Sequence, residues 1–452
     1  MRIPTRYVLN PLLVLALTHA LAARADDSDA DALSLKSAPV EAVETTQTGK
    51  FFIEGALGVA DQRGGAGSRN LGRASIDFSH TSRLAPGWQA VISDRLDHLQ
   101  PADIGSDKTV NSLREAYLTW QQEGSGTLVE FGRINLRYGP GYGYNPTDFF
   151  RDGALRTMTT VNPLALRENR LGTVVLHGQH LWSGGSVSVA YSPKLANGPS
   201  SDGSSLDLGA TNNRDRALLA LTNKISERVS SQFLLYKDRE LPAQVGASMT
   251  GLLTDSAVAY AEWSRGREPD LLSRALGLPA QASSRNRFSG GVTYTTSSKL
   301  SVTAEYQYNG FALDRSGWNA ASVDGVAALG AYLLEAQRRL DLASREAYLV
   351  YATQESVMLK NLDLTGLLRV NANDHSRLGW VELRYHWPRF DLAVQLQQQS
   401  GASVSEYGLA AYRRSAQLLA AYYFQREPAS LHSKTSIAAA PPELSWSEQT
   451  QR

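Results

Sequence analysis

The sequence predicts an all-β chain that closes into a transmembrane, antiparallel up-and-down barrel of about eighteen strands. Three observations predict it. The first is rhythm: stretches of roughly ten residues alternate apolar and polar side chains almost from end to end, as strands of a membrane barrel do. In 301–309, Val302, Ala304, Tyr306 and Tyr308 share one face, while Ser301, Thr303, Glu305, Gln307 and Asn309 share the other. Side chains alternate sides along a strand, so one face meets apolar surroundings and the other meets water. The second is hydropathy. Its mean is −0.28, and no segment is apolar enough to cross as a helix; a barrel escapes such a scan because only alternate residues face lipid. The third is an export signal at the start of the chain.

That signal covers residues 1–25. Arg2 and Arg6 supply positive charge, 12–17 form a short apolar run, and Ala23-Arg24-Ala25 fits a small-x-small cleavage site. The run falls well short of the ~20 apolar residues a membrane span needs. Residues 26–49 are acidic and poor in aromatics, and read as a disordered periplasmic lead-in. The barrel is expected over 50–424, followed by a polar tail over 425–452.

Short turns fix the strand count. They are expected at Ala85-Pro86-Gly87, Glu123-Gly124-Ser125, Ser183-Gly184, Ser226-Glu227-Arg228, Thr254-Asp255, Ser297-Ser298, Ser356-Val357 and Pro388-Arg389. Gly, Pro, Ser and Asp suit tight turns through backbone freedom or local hydrogen bonds. Eight such turns joining nine hairpins give eighteen strands, with both ends on the periplasmic side. One step is inferred: residues 239–265 must split into strands at 244–253 and 256–265 to keep the parity, and sixteen strands is the alternative. Apolar stripes such as Leu392, Val394 and Leu396 face outward, and Trp88, Trp120, Trp182, Trp263, Tyr385 and Trp387 lie near strand ends, where aromatic girdles form. The last strand is expected at 414–424 and a short helix at 324–339. A soluble β-sandwich is the bland alternative, weakened by the signal and the number of strands.

With no cysteine, the chain has no disulfide scaffold, thiol chemistry or cysteine metal site. A net charge of +1 is not the footprint of a nucleic-acid binder. Neither His-Glu-x-x-His nor Gly-x-Ser-x-Gly occurs, and no cofactor or metal is implied. His177 and His180 are three apart, which puts them on opposite faces of a strand, as an interior and a girdle residue.

The most distinctive segment is the third long loop, about 139–169. It opens Gly-Pro-Gly-Tyr-Gly-Tyr-Asn-Pro-Thr-Asp-Phe-Phe-Arg. Phe149, Phe150, Leu155, Met158, Val161, Leu164 and Leu166 make it poor material for a solvated loop, so it is expected to fold back into the barrel. Its glycines lack the Gly-Lys-Ser/Thr of a phosphate-binding loop. Arginines gather here, and the expected pore-lining set is Arg133, Asn135, Arg137, Asp148, Arg151, Arg156, Arg167 and Arg170. Arg133, Asn135 and Arg137 alternate with Ile134, Leu136 and Tyr138 and are expected to share the lumen face. Two readings compete for these arginines. One is a track for anionic solutes, since guanidinium pairs well with carboxylate and phosphate and charged rings set pore selectivity. The other is a wall of mutual salt bridges with the acidic residues at the same polar positions.

Over 50–424 the architecture resembles that of bacterial outer-membrane porins, most of all the large, roughly eighteen-stranded specific-channel and alginate-export type. The resemblance rests on signal, strand rhythm, long third loop, interior arginines and a terminal aromatic strand. The polar tail beyond Phe424 departs from the family's usual aromatic terminus. The resemblance implies a Gram-negative outer-membrane location, a third loop that narrows the lumen, and diffusion or export of hydrophilic, anionic solutes. It also implies outer-membrane lipid, lipopolysaccharide and the barrel-assembly machinery as partners, with the barrel a monomer or a homotrimer. Two rival functions stand beside it: a closed barrel serving as scaffold, adhesin or partner of an envelope complex, and a barrel enzyme that hydrolyses lipid.

Overall fold

In the computed structural model the described residues are 48–425, without 66, 103–106, 123, 280–281 and 324. The export signal, nearly all of the lead-in and the tail beyond 425 lie outside them. Eighteen antiparallel strands form one closed sheet. Each expected turn joins two of them. β2 (Ser68–Ala85) meets β3 (Trp88–Gln100), β4 (Thr109–Gln121) meets β5 (Thr127–Ile134), and β6 (Thr173–Trp182) meets β7 (Gly185–Ser192). The next hairpins are β8 (Arg216–Ser226) with β9 (Val229–Asp238), and β10 (Gln244–Thr254) with β11 (Ala257–Glu268). β12 (Ser283–Thr295) pairs with β13 (Leu300–Asn309), β14 (Glu346–Gln354) with β15 (Leu362–Asn371), and β16 (Arg377–His386) with β17 (Phe390–Ser400). β1 (Thr48–Gln62) and β18 (Tyr412–Gln425) then close the ring, with Ile53 opposite Tyr422 and Leu57 opposite Leu418. The split of 239–265 into two strands is present, so the count is eighteen and not sixteen.

Alternation sorts the side chains. Leu57, Phe131, Phe233 and Leu396 are among many large apolar residues exposed on the outer face. Polar residues such as Asp77, Arg95, Glu262, Glu305 and Gln307 are buried within. An apolar belt around a closed barrel is the build of an outer-membrane protein, with short turns toward the periplasm and long loops outside. No helix among the described residues is long and apolar enough to cross a membrane.

Among the described residues the external loops carry five short α-helices: α1 (Pro163–Glu168), α2 (Leu208–Thr211), α3 (Leu271–Ala275), α4 (Arg315–Val323) and α5 (Val326–Arg338). α5 matches the helix expected at 324–339. α4 is additional; Trp318 and Ala321 from it pack with Leu329, Tyr332 and Ala336 of α5 and Leu271 of α3 into a small apolar core of their own. Tyr332 and Trp318 meet edge to face at 5.9 Å, and Trp318 Nε1 donates to Val404 O at 2.6 Å.

Candidate functional site: the loop inside the lumen

β5 stops at Ile134, and the chain leaves the wall as the third long loop until β6 begins at Thr173. Two carboxylates on the opposite wall receive it. Glu262 of β11 accepts from Gly141 N at 2.7 Å, Asn145 Nδ2 at 3.1 Å, Thr147 N at 3.2 Å and Thr147 Oγ1 at 2.7 Å. Glu305 of β13 accepts from Tyr142 N at 2.7 Å, Gly143 N at 3.1 Å, Tyr260 Oη at 2.6 Å and Gln307 Nε2 at 2.6 Å. A buried carboxylate is tolerable only when its lone pairs are met, and half of the donors to these two are backbone N–H groups of the loop. The glycines make the approach possible. Gly139 has φ 85°, which other residues rarely adopt, and a Cβ on Gly141 would stand 2.6 Å from Glu262 Oε1.

Apolar contacts reinforce the dock. Leu136, Tyr138 and Phe150 are buried with Val175, Leu218, Leu234 and Tyr236 of β6, β8 and β9. Phe149 stacks on Tyr236 with centroids 4.8 Å apart and planes 4° from parallel. Tyr142 joins Tyr260, Tyr351, Leu367 and Trp380, and Val161 and Leu164 pack against that group. Met158 is the exception, 39% exposed. The returning half reaches the other wall: Arg73 Nη1 donates to Thr159 O at 3.2 Å, Thr157 Oγ1 to Asp97 at 3.4 Å, and Arg114 Nη1 to Asn169 Oδ1 at 2.7 Å. α1 starts on this half, with Asn162 capping Leu164 N at 3.1 Å and Pro163 at its first position. The loop therefore touches the barrel wall on both sides.

The eight residues expected to line a pore fall into different places. Asp148, Arg167, Arg170 and Asn135 form the stem of the loop: Arg170 Nη1 lies 2.8 Å and Arg167 Nε 3.9 Å from Asp148, and Arg170 Nε donates to Asn135 Oδ1 at 2.7 Å. Arg151 pairs with Asp341 at 3.2 Å and lies 5.4 Å from the Tyr144 ring, whose hydroxyl donates to the same carboxylate at 2.6 Å. Burial first, then Asp341, pushes the Tyr144 phenol well above its ordinary value. Arg156 pairs with Asp207 at 3.3 Å and donates to Asn111 O and Ser205 O. Arg133 stands in register with Ala116 and Val174, on the side that Leu118, Phe131 and Leu176 share. It is buried, donating to the carbonyls of Gly172, Leu206 and Asp207. The alternation that grouped it with Asn135 and Arg137 ends with the strand at Ile134. Arg137 alone of the set is exposed, with Glu115 and Tyr117 as electrostatic neighbours.

Sequence reasoning passed over a second cluster that binds the loops together. Asp152 is bridged by Arg214 at 3.0 Å, Arg339 at 3.1 Å and Arg338 at 3.2 Å. Burial raises its pKa, but Arg339, Arg338 and Arg214 outweigh that and hold the carboxyl far below the usual range. The cluster continues through Glu268 to Arg287 at 2.6 Å, and from Arg287 to Asp341 at 3.2 Å. No grouping of metal-binding side chains occurs among the described residues. His177 pairs with Glu130 at 2.9 Å inside, while His180 is exposed beside Trp182.

The sequence matches no protein-family model and no curated protein. Solved structures do match in shape. Acinetobacter baumannii OccAB1 aligns over 86% of this chain and 99% of its own, at 12% identity and a TM-score of 0.56. Acinetobacter baumannii OccAB3 aligns over 84% and 99%, at 8% identity and 0.52. Pseudomonas aeruginosa OccK11 (OpdR) aligns over 83% and 95%, at 12% identity and 0.50. At such identities the likeness is one of architecture: the chain has the fold of an Occ-type outer-membrane porin.

Proposed function

We propose that the protein is an outer-membrane channel for hydrophilic solutes, narrowed by residues 139–169 and weakly selective for anions. The observation that carries this reading is a third loop held inside a closed barrel by Glu262 and Glu305, rather than released into solvent. Partly exposed charged residues of the inner wall include Glu54, Arg73, Asp363, Arg369, Glu382 and Arg384. Arg73 pairs there with Glu54 at 2.8 Å and Arg384 with Glu382 at 2.8 Å. Pairing cancels most of the charge that the arginines bring. The anion preference thus rests on Arg137, the exposed arginine of the loop.

Single-channel recordings in planar bilayers test the proposal. Discrete conductance steps with a reversal potential on the anion side of a salt gradient are expected. A second reading has its own support: the loop contacts both walls, as it would in a closed barrel serving as scaffold or adhesin. Bilayers that stay silent despite inserted protein favour that reading.

A further inference from the structure

We propose that the outer wall holds one lipopolysaccharide molecule of the outer leaflet, its acyl chain in a groove across β14–β18 and β1 and its phosphates on Arg377 and Arg414. The groove is a shallow, open depression of about 730 Å³ on the lipid-facing side. Two hydrogen-bonded rows build it. The lower one runs Ala352, Gly366, Val381, Leu396, Ala416 and Val59 across neighbouring strands. The upper runs Val350, Leu368, Gly379, Gln398, Arg414 and Asp61. Val350, Leu368, Val381 and Leu396 are exposed, as lipid-facing residues are.

Two features point to an occupant. The first is the floor. Gly366 stands between Ala352 and Val381 of the neighbouring strands, and Gly379 between Leu368 and Gln398. A Cβ on Gly379 would meet nothing within 4 Å, and one on Gly366 only Trp380 O at 4.0 Å. Nothing in the barrel itself needs these glycines. Glycine weakens a strand interior, and its presence there suits close approach by a ligand.

The second is charge. Arg414 lies two residues inside the extracellular end of β18, and Arg377 begins β16 on the same outward face as Gly379 and Val381. Both are exposed, and neither has an ion-pair partner among the described residues. Arg413, by contrast, is taken by Asp61 at 2.6 Å. Unpaired arginines at the outer rim of an apolar belt sit at headgroup height, and their forked donors match phosphate. Two strand spacings separate them laterally, about 10 Å, so each can meet a different phosphate of a bis-phosphorylated glycolipid. The charges call for an anionic headgroup and the apolar trough below them for an acyl chain, which a second barrel would not supply together. The site is independent of the channel reading.

Native mass spectrometry of the full-length protein extracted from outer membranes tests it. Wild type should carry one lipopolysaccharide per barrel, and added lipid A should raise its unfolding temperature. Arg377→Ala with Arg414→Ala should weaken retention roughly thirtyfold, the effect of two basic residues at a membrane surface. Gly366→Val with Gly379→Val, which fills the groove and leaves both arginines, should lose the lipid as well. Conductance should not change in either variant. Equal lipid retention in wild type and both variants would overturn the site. So would a wild type that binds dephosphorylated lipid A as well as the phosphorylated form, or an oligomer without lipid that the groove-filling pair dissociates.

Discussion

Glu262 Oε2 on β11 accepts the Thr147 hydroxyl of the third loop at 2.7 Å, joining residues 115 apart in sequence. With Gly141 N and Thr147 N on the same carboxylate, this contact turns a long external loop into a strut across the lumen. A hydrogen bond to a charged group is worth about 1.5–3 kcal/mol, so losing both Glu262 and Glu305 removes the polar anchors of the loop on this wall and leaves its apolar contacts to hold it. Glu262→Ala with Glu305→Ala should leave an assembled, heat-modifiable barrel whose current fluctuates between several levels. An unchanged, quiet current in that variant contradicts the strut.

Selectivity should separate two arginines that the sequence treats alike. Arg137→Ala should shift the reversal potential toward cations. Arg133→Ala should not, because that guanidinium is spent on Gly172, Leu206 and Asp207 carbonyls and buried away from any solute. Equal shifts in the two variants would place both charges in the pore.

Asp152 ties the third loop to its neighbours through Arg214, Arg338 and Arg339. Removing one partner of a buried ionic cluster costs on the order of 3–5 kcal/mol, since the remaining charges stay unpaired. Asp152→Ala should therefore lower the temperature of heat-modifiable gel migration. The pH dependence follows from the sign of the shift. A carboxyl held below its unfolded value of about 3.9 adds stability above that pH, and loses it as pH falls through the folded value. Wild type should soften in strong acid, and Asp152→Asn should soften less.

Glu406, between β17 and β18, goes the other way. Burial, aided by Asp374 and opposed by Arg369, pushes its carboxyl up to about 7. A raised carboxyl leaves stability intact below its unfolded value of about 4.3 and removes it as pH rises through 7. The loop held by Asn371 Nδ2 on Glu406 at 2.8 Å should loosen between these values. Limited proteolysis of 401–411 should accelerate from pH 5 to pH 8 in wild type and stay slow in Glu406→Gln. A flat wild-type profile contradicts the assignment.

Much of the fold is legible because a strand's period is local. Val302, Ala304 and Tyr306 declare their face within three residue pairs, and Pro86-Gly87 or Ser183-Gly184 declares a turn without reference to anything distant. The fate of 139–169 is legible too, since Phe149 and Phe150 have no place in water. Which residues hold it is not. Glu262 and Glu305 look like any inward acidic residue until the loop arrives, and Asp152 finds its arginines 62, 186 and 187 positions away. Arg133 and Arg137 shared a face by counting, but counting is valid only while the strand lasts, and β5 ends between them. α4 escaped notice because it is short and poor in large apolar residues, and Trp318 finds its core only against α3 and α5.

The central claim is that residues 139–169 constrict an open barrel, and one comparison tests it most directly. Single-channel conductance is measured for wild type and for a variant whose loop is replaced by a Gly-Ser turn. The account predicts a heat-modifiable barrel in both, with clearly larger conductance and weaker anion preference once the loop is gone. A shortened barrel that assembles and conducts as wild type does would put the loop outside the path and contradict the account.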